Sequence, residues 1–91
     1  MKPLFTLGQV VATPGALTAI EASGDSLSSY LSRHQSGDWG KVDAHDRNEN
    51  QLSLEQGFRL MSVYSLSTGV KIWVITEADR SSTCILLPEE Y

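Results

Sequence analysis

The sequence predicts an α+β domain: a four-stranded, mainly antiparallel sheet, element order β-α-α-α-β-β-β, with the helices packed on one face. Three observations predict it. Residues 58–87 divide into three β-like segments at the turn signals Ser67-Thr68-Gly69 and Glu77-Ala78-Asp79-Arg80-Ser81. The middle segment, residues 70–77, has apolar bulk on both alternating faces and β-branched residues at Val70, Ile72, Val74, Ile75 and Thr76, the composition of an inner strand covered on both sides. Residues 13–57 instead carry helix-start residues and glycine stops.

Residues 4–12 have the residue types of a first strand, interrupted by Gly8, where a bulge or a second backbone close by is expected. Thr13-Pro14 opens a helix, with Thr as N-cap and Pro at the first helical position. Leu17 and Ile20 are read as its apolar stripe and Ser23-Gly24 as its end. Asp25 or Ser26 caps a second helix whose Leu27, Tyr30, Leu31 and His34 share one face. Gly37 and Gly40 frame a loop expected to hold Trp39 in place. Asp43 and Asp46 open a third helix, where acids suit the positive end of the dipole. That helix has little apolar stripe beyond Leu52 and Leu54, so a surface position or a polar inner side is expected, with Gly57 as its stop. In the strand from residue 58 to 66, Phe58, Leu60, Ser62, Tyr64 and Leu66 face one way and Arg59, Met61, Val63 and Ser65 the other. The last strand, residues 82–87, stops at Pro88 for want of a backbone donor.

With 91 residues, 41% of them hydrophobic, one domain is expected, burying roughly 60–65% of the unfolded surface without staples. The net charge of −4 and sequence pI of about 4.9 disfavour a grip on phosphate backbones, so nucleic acid is not an expected partner. A single cysteine, Cys84, rules out an internal disulfide and suits a reducing, cytoplasmic setting. No apolar run is long enough for a membrane span, and Met1–Leu7 lacks the apolar region of a signal peptide.

Known catalytic and phosphate-binding motifs are missing. His34, His45 and Cys84 are not at ligand spacing, so neither a metal nor a cofactor is expected. His34 ends an apolar helix face. It reads either as a buried ring bonded to a carbonyl or to Asp38, or as a general acid or base. In the turn 77–83, Asp79 and the hydroxyls are expected to bond turn amides, and Arg80 to pair with Glu77 or Asp79. The other reading of the turn has Arg80 and Ser81 meet an anion or a partner's carboxylate. Trp39 and Trp73 read as core or loop anchors, and Tyr64 and Tyr91 as packed rings with bonded hydroxyls. Cys84 reads as an inert apolar residue.

Several blocks recur together: residues 7–13 (Leu-Gly-Gln-Val-Val-Ala-Thr), Arg33-His34 with Gly37-Asp38-Trp39-Gly40, Asp46 with Asn50, Gly57 with Arg59, Ser62 with Tyr64, residues 71–81 and the ending Leu-Leu-Pro-Glu-Glu-Tyr. Through them nearly the whole chain resembles a family of small bacterial proteins carried on plasmids and integrative elements. Members bear the label "plasmid-related protein" or a type I restriction-subunit name. The resemblance implies a mobile-element setting and no particular activity. The restriction label does not fit a chain with no methyl-donor glycine loop. The expected function is a non-catalytic protein-binding accessory, an anti-defence role being one version. Asp38, Trp39, Asp46, Asn50, Asp79, Arg80 and Ser81 are its candidate contacts, and the acidic helix 43–56 or the 37–40 loop its surface. A second reading takes the architecture as similar to RelE-, barnase- and colicin-type ribonucleases, with His34, Arg59, Glu77 and Arg80 as catalytic groups. A third is a structural homodimer paired through edge strands.

Overall fold

Two tight turns fold residues 60–86 back on themselves. Gly69 N–H donates to Leu66 O (2.8 Å) in the first, and Arg80 N–H to Glu77 O (2.9 Å) in the second. The computed structural model describes residues 3–91; Met1 and Lys2, the start of the segment read for a targeting signal, lie outside them. The elements are β1 (Gln9–Ala12), α1 (Pro14–Ser23), α2 (Leu27–Gln35), α3 (Ala44–Gln56), β2 (Leu60–Ser65), β3 (Lys71–Thr76), β4 (Ser82–Leu86) and a 3₁₀ turn at Pro88–Glu90. The fold is α+β with one four-stranded sheet of order β1-β4-β3-β2. The β2-β3-β4 meander is antiparallel, and β1 joins β4 in parallel. β3 is an inner strand, as its composition predicts.

Thr13 caps α1, accepting from Ala16 N–H at 3.1 Å, and Asp43 caps α3, accepting from Asp46 N–H at 2.8 Å. Gly24 and Gly57 end these helices in the left-handed conformation that a Cβ disfavours. α2 starts differently from its sequence reading. Ser26 occupies the cap position without a side-chain cap bond, and Asp25 accepts instead from Tyr30 Oη (2.6 Å) and from the Ser67 N–H and hydroxyl. The carboxylate thereby ties the α1–α2 corner to the β2–β3 turn.

One face of the sheet is roofed by α1 and α2. Ala16, Ile20 and Tyr30 close over Tyr64, Leu66, Ile72, Val74 and Ile85. Each fully buried aliphatic side chain there contributes about 1.5–3 kcal/mol relative to exposure. The α1 stripe runs through Ala16 and Ile20, and Leu17 is exposed. Both are apolar, and only the helix rotation set by the sheet separates them. A smaller cluster of Trp39, Val42 and Leu60, with Phe5, Leu54 and Val63, fills the space beside β2.

Alternation is retained along β2, where Leu60, Ser62 and Tyr64 are buried. Phe58, two residues before the strand, is exposed. The expected first strand is shorter than predicted. Leu4 N–H donates to Gln35 O (2.7 Å), and Gln35 Nε2 donates to Phe5 O (2.9 Å), so this stretch docks on the end of α2 before β1 begins. Gly8 (φ +64°) marks the change. A Cβ there would run into the Ser81 carbonyl, which is the close backbone approach expected from a glycine at this point.

Candidate functional site

Inward positions of β2, β3 and β4 carry three hydroxyls, Ser62, Thr76 and Thr83, and all three are buried. Thr76 and Thr83 are direct cross-strand partners. His34, at the end of the apolar face of α2, projects onto them with 0% exposure. Its Nδ1 lies 2.5 Å from Ser62 Oγ and its Nε2 2.9 Å from Thr76 Oγ1. Thr76 Oγ1 is 2.7 Å from Thr83 Oγ1, which donates to Leu7 O at 2.8 Å.

The direction of every proton follows from the last link. A carbonyl only accepts, so the Thr83 hydroxyl is committed to Leu7. Thr76 then donates to Thr83, His34 Nε2–H donates to Thr76, and Nδ1 accepts from Ser62. The imidazole is assigned as the neutral Nε2–H tautomer with both nitrogens satisfied. Burial, assisted by the Arg80 guanidinium, pushes its pKa down to about 4. Ser62 and His34 look like a nucleophile–base pair by distance alone. Both are shut off from solvent, however, and both are consumed by a chain linking α2, β2, β3, β4 and the N-terminal stretch. The arrangement holds the fold together.

Arg80 is equally engaged. It is the only non-glycine residue with positive φ (+62°) among those described, and its Nη1 donates to Phe58 O (2.7 Å), Glu77 O and Ala78 O (both 3.1 Å). Nη2 donates to Ser53 O (3.0 Å) in the last turn of α3, where a cation suits the helix dipole. The expected pairing with Glu77 or Asp79 carboxylates is replaced by these carbonyls. Asp79 accepts from Ser81 N–H (2.9 Å), as a turn aspartate is expected to, and Ser81 is exposed. Phe5 lies between the two groups, its ring edge-on to His34 (5.1 Å between centroids) and 5.7 Å from the Arg80 guanidinium carbon.

The four residues of the ribonuclease reading do not converge. His34 is sealed under α2, whereas Arg59 lies on the opposite face of the sheet, bonded to the Tyr91 hydroxyl with its guanidinium over the Tyr91 ring. Glu77 is exposed at the turn. Of the contact candidates, Trp39 is 6% exposed and faces inward against His34 and Phe5. Asp38 is exposed and holds Arg33 (2.7 Å), while its carbonyl accepts from Tyr64 Oη (2.6 Å). Asp46 sits in the capped first turn of α3. Asn50 is buried, its carboxamide donating to Met61 O (2.7 Å) and accepting from Met61 N–H (3.0 Å). The polar inner side expected of α3 is this contact.

Sequence reasoning singled out His34 and Arg80 but missed Ser62, Thr76 and Phe5, and it read Thr83 as a turn hydroxyl bonding turn amides, whereas Thr83 is buried in β4 and donates to Leu7 O. A signal for the hydroxyls existed: each falls on the inward parity of its strand, where an unpartnered polar group is costly. No protein-family model matches the chain, and neither a curated protein nor a solved structure matches it.

The second sheet face differs from the first. Val11, Cys84, Ile75 and Met61 are in register and form an apolar row across all four strands. Trp73 is covered by the Tyr91 ring, 5.2 Å away, and Tyr91 is itself 68% exposed. Burial raises the Cys84 thiol pKa, with the nearby Glu90 and Glu77 acting in the same direction, so the sulfur is a poor nucleophile. Arg59, Lys71 and Glu77 border the row.

Proposed function

We propose that this chain is a non-catalytic protein-binding module, acting in the bacterial cytoplasm and in the setting of a mobile genetic element. The single observation that carries the reading is the second sheet face. Val11 in its apolar row is 43% exposed and Tyr91, which covers Trp73, is 68% exposed, whereas the first face is roofed by two helices. The apolar surface left open at Val11 and Tyr91, beside a buried Ile75 and half-buried Cys84 and Met61, suits a protein surface better than a small polar substrate. The commitment of His34 and Arg80 to the fold supports a binding role over a catalytic one. The partner in this reading is a folded protein with an apolar patch fringed by at least one carboxylate, which Arg59 or Lys71 meets. No helix among the described residues is long and apolar enough to cross a membrane.

The test is affinity capture from bacterial lysate with three baits: the natural chain, Met61→Glu and Tyr91→Ala. Both changes lie on the second face and outside the helix-roofed core. A partner held by the natural chain and lost with both variants is expected. Recovery of no specific partner, or of one held equally by all three baits, overturns the reading.

A further inference from the structure

The two edges of the sheet are finished differently. Along β2 the outward groups of Met61 and Val63 are covered. Asn50 meets both backbone groups of Met61, while Val63 O accepts from Lys41 N–H (2.7 Å) and Val63 N–H donates to Trp39 O (3.0 Å). Along β1 the outward groups are not. Gln9 N–H donates to Ser81 O and Thr13 N–H to Ile85 O, both at 3.0 Å. The two-residue period of a strand therefore turns the N–H and C=O of Val10 and Ala12 away from β4. Val10 and Val11 are 40% and 43% exposed. β1 has no lysine, proline or other charge, the usual guards of a free edge, and shortness is its only protection.

We propose that β1 pairs antiparallel with β1 of a second copy of this chain, about a two-fold axis through Val11. In this register Val10 of each copy lies opposite Ala12 of the other, and each such pair exchanges two backbone hydrogen bonds. Val11 meets its counterpart at the non-hydrogen-bonded position, with Cα atoms about 4.5 Å apart. The register is self-complementary, as a two-fold contact requires. It also joins the row Val11-Cys84-Ile75-Met61 end to end with the same row of the second copy, making one apolar band across eight strands. An unrelated extended segment would make the same backbone bonds but would not continue that band.

Size and charge set the strength. A four-residue strand pair buries less than the ~1,000 Å² of a stable interface, so association is concentration-dependent. The edge is uncharged but each copy carries −4, so added salt tightens the pair. The proposal shares the second-face row with the protein-binding reading above, but its test reads the β1 backbone amides and not Met61 or Tyr91, so the two fail separately.

Sedimentation velocity on the full chain, from micromolar to millimolar concentration, with amide exchange by NMR, tests it. The mass is expected to double with concentration, and more readily in salt. The Val10 and Ala12 amides should gain about tenfold or more protection as it does, while those of Gln9 and Val11, bonded to β4 in either state, change little. Val10→Pro removes an outward donor and no ladder bond, and Val11→Lys sets like charges on the axis. Each should weaken association by about tenfold or more. A monomer across the whole range overturns the proposal, as does a dimer whose Val10 and Ala12 amides stay unprotected. Should Val10→Pro fail to fold, Val11→Lys and the exchange of the natural chain decide.

Discussion

His34 illustrates how one residue can carry the features of a catalytic base and be structural. Its ring is within reach of a serine hydroxyl, yet the proton count leaves no vacancy: two ring nitrogens and three hydroxyls end on one carbonyl acceptor. Adding a proton at Nδ1 would set two donors against each other unless Ser62 reversed, in a site without water exposure. The consequence for stability has a definite sign. The unfolded chain takes up a proton on this residue near pH 6.5, whereas the folded chain resists until about pH 4. Between those values the unfolded state binds more protons, so stability falls as pH falls through the window. The full difference is roughly 3 kcal/mol. Urea unfolding at pH 7 and at pH 4.5 should show most of that loss, and the imidazole ¹⁵N shifts should report the neutral Nε2–H form at pH 5.5. A ring that titrates near pH 6.5 in the folded protein would contradict the assigned chain.

At the scale of elements, glycines separate local from tertiary demands. Gly57 and Gly8 both have positive φ, but a Cβ on Gly57 meets open space and one on Gly8 meets the Ser81 backbone. Gly57→Ala should therefore lower stability by about 1 kcal/mol, the strain of the left-handed conformation alone. Gly8→Ala adds a collision that only withdrawal of β1 from β4 relieves, and should cost about 3 kcal/mol or more. Thermal unfolding of the two variants side by side checks the difference; equal losses would mean that β1 does not hold its position. The helix ends were legible in the residues, because Thr13-Pro14, Asp43 and the stop glycines act within one turn of chain. The boundary at Gly8 was legible as a singular point. Its meaning was not, since residue 81 is what crowds it.

For the whole molecule, the treatment of the β2 edge is decisive. Asn50 imitates a fifth strand with one carboxamide, and the 39–41 loop does the same at Val63. Asn50→Leu should leave both Met61 backbone groups unpaired, costing about 2 kcal/mol, and give a second open edge. Urea unfolding measures the first effect, and light scattering at rising concentration the second. Unchanged stability would mean that water replaces the carboxamide without loss. The three hydroxyls beneath His34 and the four carbonyls around Arg80 belong to this scale too. Each set draws on elements far apart in the chain, and neither residue's neighbours in sequence reveal it.

What the sequence determined by itself is what short-range rules govern: the α+β class, the antiparallel meander with its inner strand, the caps of α1 and α3, and the alternation of faces along β2. These depend on periodicity and on backbone groups within a few residues. The tertiary structure alone decided that β1 lies parallel to β4, that α1 buries Ala16 in preference to Leu17, and that His34, Arg80 and Asn50 are consumed by the fold. Those outcomes depend on partners from 11 to 70 or so positions away. A side chain's freedom to do chemistry is what remains after such partners have taken its donors and acceptors, and that remainder exists only once the chain has folded.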